Sequence, residues 1–247
     1  MTPFEMPEKL RGKYWSFPRR LVAVEGVPGA GKSSFIEWLC ARYSNLEHYE
    51  PPVPRFESIF RESRDGNRVE VDFNELERWW WAFGTHMLEH GVCGVSPTRS
   101  TKVFVIEGTL ETSVFIYAQY HMYMGKMTPV QYRELTSWFY RARGGLTVSP
   151  KIIFYLQVNP VVAFNRLRAR GAPHNAKMSL EFLRTADRRM AYLNLGYRWG
   201  GRWYCLNGSI DTALLAPEVE KLAPLMFDCN VAHGHPDAHV RGGRTAN

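Results

Sequence analysis

The chain has 247 residues, of which 45% are hydrophobic, and carries a formal net charge of +7 at pH 7. This length and composition predict one domain with a substantial core, and no apolar run approaches the ~20 residues of a membrane span. The positive charge could bind nucleic acid or small phosphorylated anions. Because part of it is concentrated at residues 166–170, we favour anions and expect neither a nucleic-acid nor a membrane partner. The N-terminal stretch lacks the apolar block of a signal peptide, so we expect a cytoplasmic location.

After a predicted arm at residues 1–19, the first strand is predicted at 20–25 from a short apolar run. Residues 26–33 then match the P-loop pattern GxxxxGKS, and an amphipathic helix is predicted at 32–44. Glycines let several backbone N–H groups point at one phosphate, and the helix N-terminus adds positive potential there. The residues predicted to bind nucleotide phosphates are Gly26, Gly29, Ala30, Gly31, Lys32, Ser33 and Ser34.

Strands and helices are predicted to alternate along the rest of the chain. Further strands are expected at 46–50, 102–107, 151–158 and 202–206. Further helices are expected at 74–91, 111–124, 128–143, 159–170, 179–195 and 217–226. This alternation favours an α/β fold with a mostly parallel sheet of about five strands and helices on both faces. We expect a single domain at 20–229 and a disordered tail at 230–247, whereas the polar residues 55–72 receive no assignment.

Three predicted strands end in an acid, at Glu25, Glu50 and Glu107, and we consider the last two for a direct role. Ligands of parallel α/β sheets bind at the carboxyl ends of the strands, so both acids are candidates for chemistry. Glu50 could take a proton from a hydroxyl that attacks the γ-phosphate, or it could be a solvated strand end. Glu107 could hold Mg²⁺ together with Ser33, directly or through water, or it could form a salt bridge.

Three arginines alternate at the end of a predicted helix, at Arg166, Arg168 and Arg170, before a Gly-Ala-Pro break. Successive members project about 200° apart on a helix, so all three cannot lie on one face. We predict a lid whose arginines neutralise charge on a triphosphate. The alternative is a solvated helix end, where cations are favoured by the helix dipole.

Together these motifs resemble those of the deoxynucleoside kinase family, the group of deoxycytidine, deoxyguanosine and mitochondrial-type thymidine kinases. Residues 25–33, EGVPGAGKS, are similar to the family's EGxxGAGKS/T loop, and residues 50–51 to its EP segment. Residues 77–79 and 83–85 resemble its base-recognising helix, Glu107 the acid of its E-R-S motif, and residues 159–170 its strand–helix–lid unit. The resemblance covers about residues 20–200.

The resemblance implies a P-loop kinase fold, ATP and Mg²⁺ as cofactors, and transfer of the ATP γ-phosphate to the 5′-hydroxyl of a deoxynucleoside in nucleotide salvage. Glu50 would be the general base, and Ser33 and Glu107 would hold the metal. The other catalytic candidates are Lys32, Arg166, Arg168 and Arg170. The nucleoside-binding candidates are Trp79, Phe83, Gly84, His86 and Phe115.

The nucleoside-handling half departs from the family pattern. Gly84 stands where the family has a base-pairing glutamine, and Ala191 where it has the glutamate that grips the sugar 3′-hydroxyl. The arginine and serine of E-R-S are replaced by Gly108 and Thr109, and the two side chains five and six residues beyond the arginine position are Ser113 and Val114.

Three functions therefore stay open. The leading one is a deoxynucleoside kinase. The second is a nucleoside monophosphate kinase of the thymidylate type, although Tyr49 and Gly108 stand where thymidylate kinases carry arginines, with Arg55 as a substitute. The third is a nucleotide-binding relative that has lost catalysis. By analogy with related kinases, the helix around residues 114–124 could form a homodimer interface.

Overall fold

The computed structural model describes residues 21–49, 60–63, 65, 67–78, 102–145, 150, 152–171, 178–195 and 202–227. Its strands are β1 (Leu21–Glu25), β2 (Leu46–His48), β3 (Phe60–Glu62), β4 (Val69–Val71), β5 (Val103–Glu107), β6 (Ile152–Gln157) and β7 (Arg202–Asn207). Five of these strands form one sheet in the order β2-β5-β1-β6-β7, and every neighbouring pair is parallel. The predicted α/β fold with a five-stranded parallel sheet is confirmed.

The central strand β1 lies between β5 and β6, with Val24 opposite Glu107 and Glu25 opposite Tyr155. Because the strands are parallel, their carboxyl ends share one edge of the sheet. The segments that follow β1, β5, β6 and β7 therefore meet at that edge, where ligands of this architecture bind.

The main helices are α1 (Lys32–Arg42), α3 (Pro129–Gly145), α4 (Pro160–Arg170), α5 (Leu180–Leu195) and α6 (Ala216–Phe227). Between α1 and α3 lie three consecutive segments that we call α2 together: Leu110–Thr112, the π-helical Ser113–Ala118, and Gln119–Tyr123. A 3₁₀ turn at Thr212–Leu215 precedes α6, and residues 73–78 are also helical. The Asn159 side chain accepts from the Val161 N–H at 2.9 Å and caps α4, as its Asn-Pro start predicts.

The sheet has a hydrophobic core on each face. Alternate strand residues such as Val22 and Val105 pack in one cluster with Phe35 and Leu39 of α1. The residues between them pack in a second cluster, in which Phe104 is buried with Val114, Leu135, Trp138 and Phe139 of α2 and α3. Both clusters consist of side chains at most 8% exposed, so helices cover both faces of the sheet, as the alternating pattern predicts.

Several element boundaries differ from the sequence-based expectation. The polar segment without an assignment contains an antiparallel pair, β3 and β4, with Phe60 opposite Val71. Helix α3 continues through Gly145 instead of ending at 143, because glycine weakens a helix without necessarily breaking it. Strand β2 ends at His48, although the Tyr49 N–H still donates to the Val105 carbonyl at 2.9 Å.

The expected arm at 1–19 and tail at 230–247 lie outside the described residues. The helix expected at 74–91 is observed from 73 to 78, and its remainder also lies outside the described part. None of the helices described is both long and apolar enough to cross a lipid bilayer.

Candidate active site

The P-loop connects β1 to α1 at the carboxyl edge of the sheet. Gly31 has a φ of +93° and precedes Lys32, and the Phe35 N–H donates to the Gly31 carbonyl at 3.0 Å to begin α1. The Lys32 ammonium group donates to the carbonyl oxygens of Gly26 at 3.0 Å and of Val27 at 3.4 Å. The lysine therefore lies across the mouth of the loop, where a phosphate bound by the loop N–H groups would be.

Gly29 places the loop directly against α4. Its φ is +84°, and a Cβ atom at this position would lie 2.4 Å from the Ala163 carbonyl oxygen and 3.0 Å from Cγ of Leu167. Both the backbone conformation and the close approach therefore require glycine. The contact brings the arginine-bearing helix to the side of the phosphate loop.

The two predicted metal ligands are in contact. The Ser33 hydroxyl donates to Oε2 of Glu107 at 2.9 Å, and the Lys32 ammonium nitrogen lies 3.8 Å from Oε1 of the same carboxylate. A third of the Glu107 side chain is exposed, at the carboxyl edge of the sheet. A hydroxyl and a carboxylate are hard oxygen donors of the kind that Mg²⁺ prefers, and the pair fits this ion.

The three arginines divide between two faces of α4. Arg166 donates to the carbonyl oxygens of Gly208 at 2.8 Å and Ser209 at 3.4 Å. Arg170 lies one turn further on the same face, because residues four apart are neighbours on a helix. The Arg168 guanidinium instead lies over the Phe164 ring, 4.8 Å from its centroid. The helix remains regular to Arg170, so the predicted separation of the arginines arises without unwinding.

A cavity of about 250 Å³ adjoins the P-loop on its α4 side. Its walls come from the start of α1, the end of α4 and the turn after β7. The polar and loop residues that line it include Ala30, Gly31, Ser34, Arg166, Arg170 and Gly208. Two guanidinium groups next to a P-loop create positive potential for an anionic ligand.

A larger cavity of about 510 Å³ lies at the ends of β6 and β7. Asp187 and Glu218 contribute carboxylates to its wall, and it does not include residues of the P-loop. The smaller cavity adjoins the P-loop and is lined by two arginines against one carboxylate, that of Asp211, so it is the better site for an anionic nucleotide.

Glu25 is a buried acid directly before the P-loop. It is 1% exposed, and its Oε1 accepts a hydrogen bond from the Thr112 hydroxyl at 2.7 Å. Burial raises the pKa of Glu25 from 4.5 to about 7, and hydrogen bonds from Thr112 and Thr109 and the charge of Lys32 oppose this effect. The carboxyl group is thus hydrogen-bonded, and its pKa lies near neutral pH.

The deoxynucleoside kinase family model matches residues 22–199, which is most of the chain. The chain belongs to the deoxynucleoside kinase family. The matched range includes the P-loop, the Ser33–Glu107 pair and the arginines of α4, whereas the turn at Gly208, which also borders the site, lies beyond it.

Among curated proteins, mitochondrial thymidine kinase 2 of Macaca fascicularis is 24% identical over 169 residues, which cover 67% of this chain and 60% of that kinase. The human enzyme is 23% identical over 165 residues, again 60% of its length. This family member therefore spans less than two thirds of the length of these relatives. A probable thymidylate kinase of Methanocorpusculum labreanum is 29% identical over 153 residues, covering 61% of this chain and 71% of the relative.

Solved structures of the deoxyadenosine kinase from M. mycoides share the fold. The structure with bound dATP has a TM-score of 0.62 at 16% identity and covers 82% of this chain and 99% of that kinase. The structure with dCMP and dCDP gives a TM-score of 0.61 at the same identity. The P-loop kinase fold of this family member is thus established by both the sheet order and the comparison.

Several predicted site residues lie outside the described part of the chain, namely Glu50, Trp79, Phe83, Gly84 and His86. Tyr49 is the last described residue before Glu50 and is bonded through its N–H to β5. The backbone therefore arrives at position 49 at the same sheet edge as Glu107. The roles of these five residues stay predictions.

The remaining nucleoside candidate, Phe115, lies on α2, and two positions that depart from the family pattern, Gly108 and Ala191, are also described. Phe115 is half-buried and meets the Phe139 ring edge-on at 5.2 Å, so at least one side of its ring packs against the core. Gly108 has a φ of +76°, and a Cβ at this position would meet open space. Ala191 is half-buried near the end of α5. The change of the family arginine to Gly108 thus leaves room beside Glu107.

Sequence reasoning missed two features of the site. The first is the Glu25–Thr112 hydrogen bond, which joins residues 87 apart in the chain. The signal was an acid at the end of an apolar strand, the same signal that singled out Glu107. The second is the hydrogen bond from Arg166 to the Gly208 carbonyl. The sequence gives no signal for it, because every residue has a backbone carbonyl and the residue type does not mark which one accepts.

Proposed function

We propose that this protein is an ATP- and Mg²⁺-dependent kinase that transfers the γ-phosphoryl group of ATP to the 5′-hydroxyl of a deoxynucleoside. The observation that carries the proposal is the contact of Ser33 with Glu107, next to Lys32, in a chain of the deoxynucleoside kinase family. Phosphoryl transfer depends on exact positioning of the reactants and on positive charge at the phosphates. Lys32 supplies such a charge, and Ser33 with Glu107 would hold the metal ion that supplies more.

In the proposed reaction, backbone N–H groups at the end of the P-loop and start of α1, at residues 31–34, and the Lys32 ammonium group bind the β- and γ-phosphates. Ser33 and Glu107 hold Mg²⁺, which when bound neutralises the charge of the triphosphate. Lys32 lies 3.8 Å from Glu107, so the cation of the lysine and the metal ligands act on the same phosphate groups.

The cavity beside the P-loop is proposed to hold the nucleoside part of the phosphate donor. Its wall contains Ala30, Gly31 and Ser34 at the loop and Arg170 on α4. A guanidinium group can pair with phosphate or stack on the face of a base, and either contact would orient the donor. Arg166 is held by the Gly208 carbonyl and can reach the same ligand.

Glu50 is proposed as the general base that takes the proton from the 5′-hydroxyl as the γ-phosphoryl group transfers to it. The proton moves to the Glu50 carboxylate, the new P–O bond forms at the 5′-oxygen, and the bond to the β-phosphate breaks to release ADP. The position of Tyr49 at the carboxyl edge supports this placement of the next residue.

A panel of acceptors tests the proposal. Deoxynucleosides and the corresponding monophosphates are incubated with ATP and Mg²⁺, and products are separated by chromatography. We expect conversion of at least one deoxynucleoside to its 5′-monophosphate, with a Lys32→Ala variant as the inactive control. Tight ATP binding without transfer to any acceptor would contradict the proposal and favour the non-catalytic function.

Phosphorylation of a nucleoside monophosphate is the second candidate, because a probable thymidylate kinase is 29% identical over 153 residues. A phosphorylated acceptor needs a cation, and Gly108 leaves open space beside Glu107 where a phosphate or a cation from elsewhere could be placed. The same panel separates the two functions, since a thymidylate-type enzyme would produce diphosphates from monophosphates and leave nucleosides unchanged.

A further inference from the structure

Side-chain hydrogen bonds connect the residues on either side of the P-loop to the end of β5 and to the segment that follows it. The outer one joins Ser33 to Glu107 at the exposed edge. The inner one joins Glu25 to Thr112, and both residues are buried, with exposures of 1% and 3%. The two contacts lie at opposite ends of the loop, one before its first glycine and one after its lysine.

The inner contact is part of a small network around the buried Glu25 carboxyl group, which also accepts a hydrogen bond from the half-buried Thr109. The Thr112 hydroxyl donates to Glu25 at 2.7 Å, and its oxygen lies 3.4 Å from the Thr109 hydroxyl oxygen. Thr109 also caps α2 by accepting from the Thr112 N–H at 3.4 Å. A single carboxylate on β1 therefore fixes the first turn of α2.

The backbone between the two contacts has few other restraints toward β1. The Gly108 N–H donates to the Val24 carbonyl at 2.9 Å, which extends the sheet by one residue. Beyond it, φ at Gly108 is +76° and the chain turns away from the sheet before Thr109 starts α2. The direction of residues 108–113 thus depends on how Glu25 holds Thr112 and, more weakly, Thr109.

These residues follow β5 directly at the carboxyl edge of the sheet, where ligands of this architecture bind, so a phosphate acceptor at the P-loop would lie near them. Transfer requires the attacking oxygen and the phosphorus at about 3–3.5 Å, and a displacement of about 1 Å can cost roughly 10²-fold in rate. A contact that fixes this segment relative to the loop therefore acts on catalysis without touching the substrate.

We propose that Glu25 is a positioning residue, whose hydrogen bond to Thr112 holds the segment 108–113 at the correct distance from the P-loop for phosphoryl transfer. This inference rests on the proposed kinase function. Glu25 does not act as a base, since its carboxyl group is enclosed, but it determines where the acceptor lies relative to the bound triphosphate.

The test uses a double variant that keeps the fold. Replacing both partners by apolar residues of similar shape, Glu25→Met with Thr112→Val, removes both ends of the buried hydrogen bond. Only the half-buried Thr109 hydroxyl loses partners, so the double variant should cost less stability than either single replacement. Thr112→Ser retains the hydroxyl and serves as the conservative rescue. Thr136→Val is the matched control, because Thr136 donates at 2.9 Å only within α3, to the Arg133 carbonyl.

Kinetics and hydrogen exchange are measured on the full chain. We expect the double variant to lower kcat/KM for the nucleoside by about 10²-fold while KM for ATP changes less than about twofold. Thr112→Ser and Thr136→Val should both stay within about twofold of wild type. Amides of residues 107–113 should exchange faster in the double variant, while those of residues 32–42 remain unchanged.

Equal kinetics and equal exchange in the double variant and the Thr136→Val control would overturn the positioning role. Parallel losses of ATP affinity and acceptor turnover would also overturn it, since they indicate a purely structural contact. If the wild-type protein transfers phosphate to no acceptor, the proposed function fails and the exchange measurement alone decides the inference, because it requires no turnover.

Discussion

The hydroxyl of Ser33 lies 2.9 Å from a carboxylate oxygen of Glu107, although 74 residues separate them in the chain. The contact arises because β1 and β5 are parallel neighbours, β5 ends at Glu107, and β1 is followed at once by the loop that leads to Ser33. Two oxygen donors next to Lys32 form the chemical centre of the proposed kinase.

Glu107→Gln should weaken metal use. The amide keeps the shape and the Ser33 contact but removes the negative charge, so the Mg²⁺ concentration for half-maximal activity should rise about 10–100-fold. Glu47→Gln is the matched control. Glu47 lies on β2 and forms an ion pair with Lys102, as Glu107 does with Lys32, and its side chain is 38% exposed against 33% for Glu107. An equal effect of the two variants in a Mg²⁺ titration would remove Glu107 from the metal site.

Arg170→Ala and Arg168→Ala should differ, although both residues are exposed at the end of α4. Arg170 lines the cavity beside the P-loop, whereas the Arg168 guanidinium lies over Phe164. We expect Arg170→Ala to lower kcat/KM for ATP by about 10²-fold and Arg168→Ala to change it less than about twofold. Steady-state kinetics with ATP varied checks this, and a larger loss at Arg168 would contradict the assignment of faces.

The two faces of α4 illustrate what the sequence could predict. Helical geometry showed that the arginines must separate, but which of them reach the P-loop depends on the contact of Gly29 with Ala163, which no local pattern contains. The loop itself, the start of α1 at Lys32 and the parallel sheet were predictable because glycine spacing and strand–helix alternation are local signals. The hairpin of β3 and β4 was not, since three-residue strands in a polar segment give no periodicity.

Gly29→Ala should destabilise the protein more than Gly31→Ala. Both residues have φ in the left-handed region, so each substitution costs about 1–2 kcal/mol in backbone strain. A Cβ at Gly29 would also lie 2.4 Å from the Ala163 carbonyl oxygen, whereas one at Gly31 meets nothing within 4 Å. The resulting overpacking should add about 1–3 kcal/mol at Gly29, measured as the free energy of unfolding in urea. Equal losses would show that the loop does not press against α4.

Stability should decrease as pH rises through the range in which Glu25 ionises. Burial raises the pKa of Glu25 from 4.5 to about 7, so the folded state binds more protons than the unfolded state between these values. The contribution of Glu25 to the free energy of unfolding therefore decreases as the pH rises from 4.5 to 7. Above pH 7 it is about 3 kcal/mol lower than below pH 4.5.

Glu25→Gln removes this ionisation while its amide oxygen can still accept from Thr112. The variant should therefore become more stable relative to wild type as the pH rises from 5 to 8. The free energies of unfolding of both proteins, measured by urea denaturation at several pH values, check this. Parallel pH profiles of the two proteins would mean that Glu25 titrates normally in the folded state.

Phosphoryl transfer by wild type and by Glu50→Gln, with ATP binding measured separately, tests the central claim most directly. The account predicts that wild type converts a deoxynucleoside and ATP to the 5′-monophosphate and ADP, and that Glu50→Gln binds ATP with wild-type affinity but loses this transfer by about 10²-fold or more. Undiminished turnover by Glu50→Gln, or ATP binding by wild type without any transfer, would contradict the account.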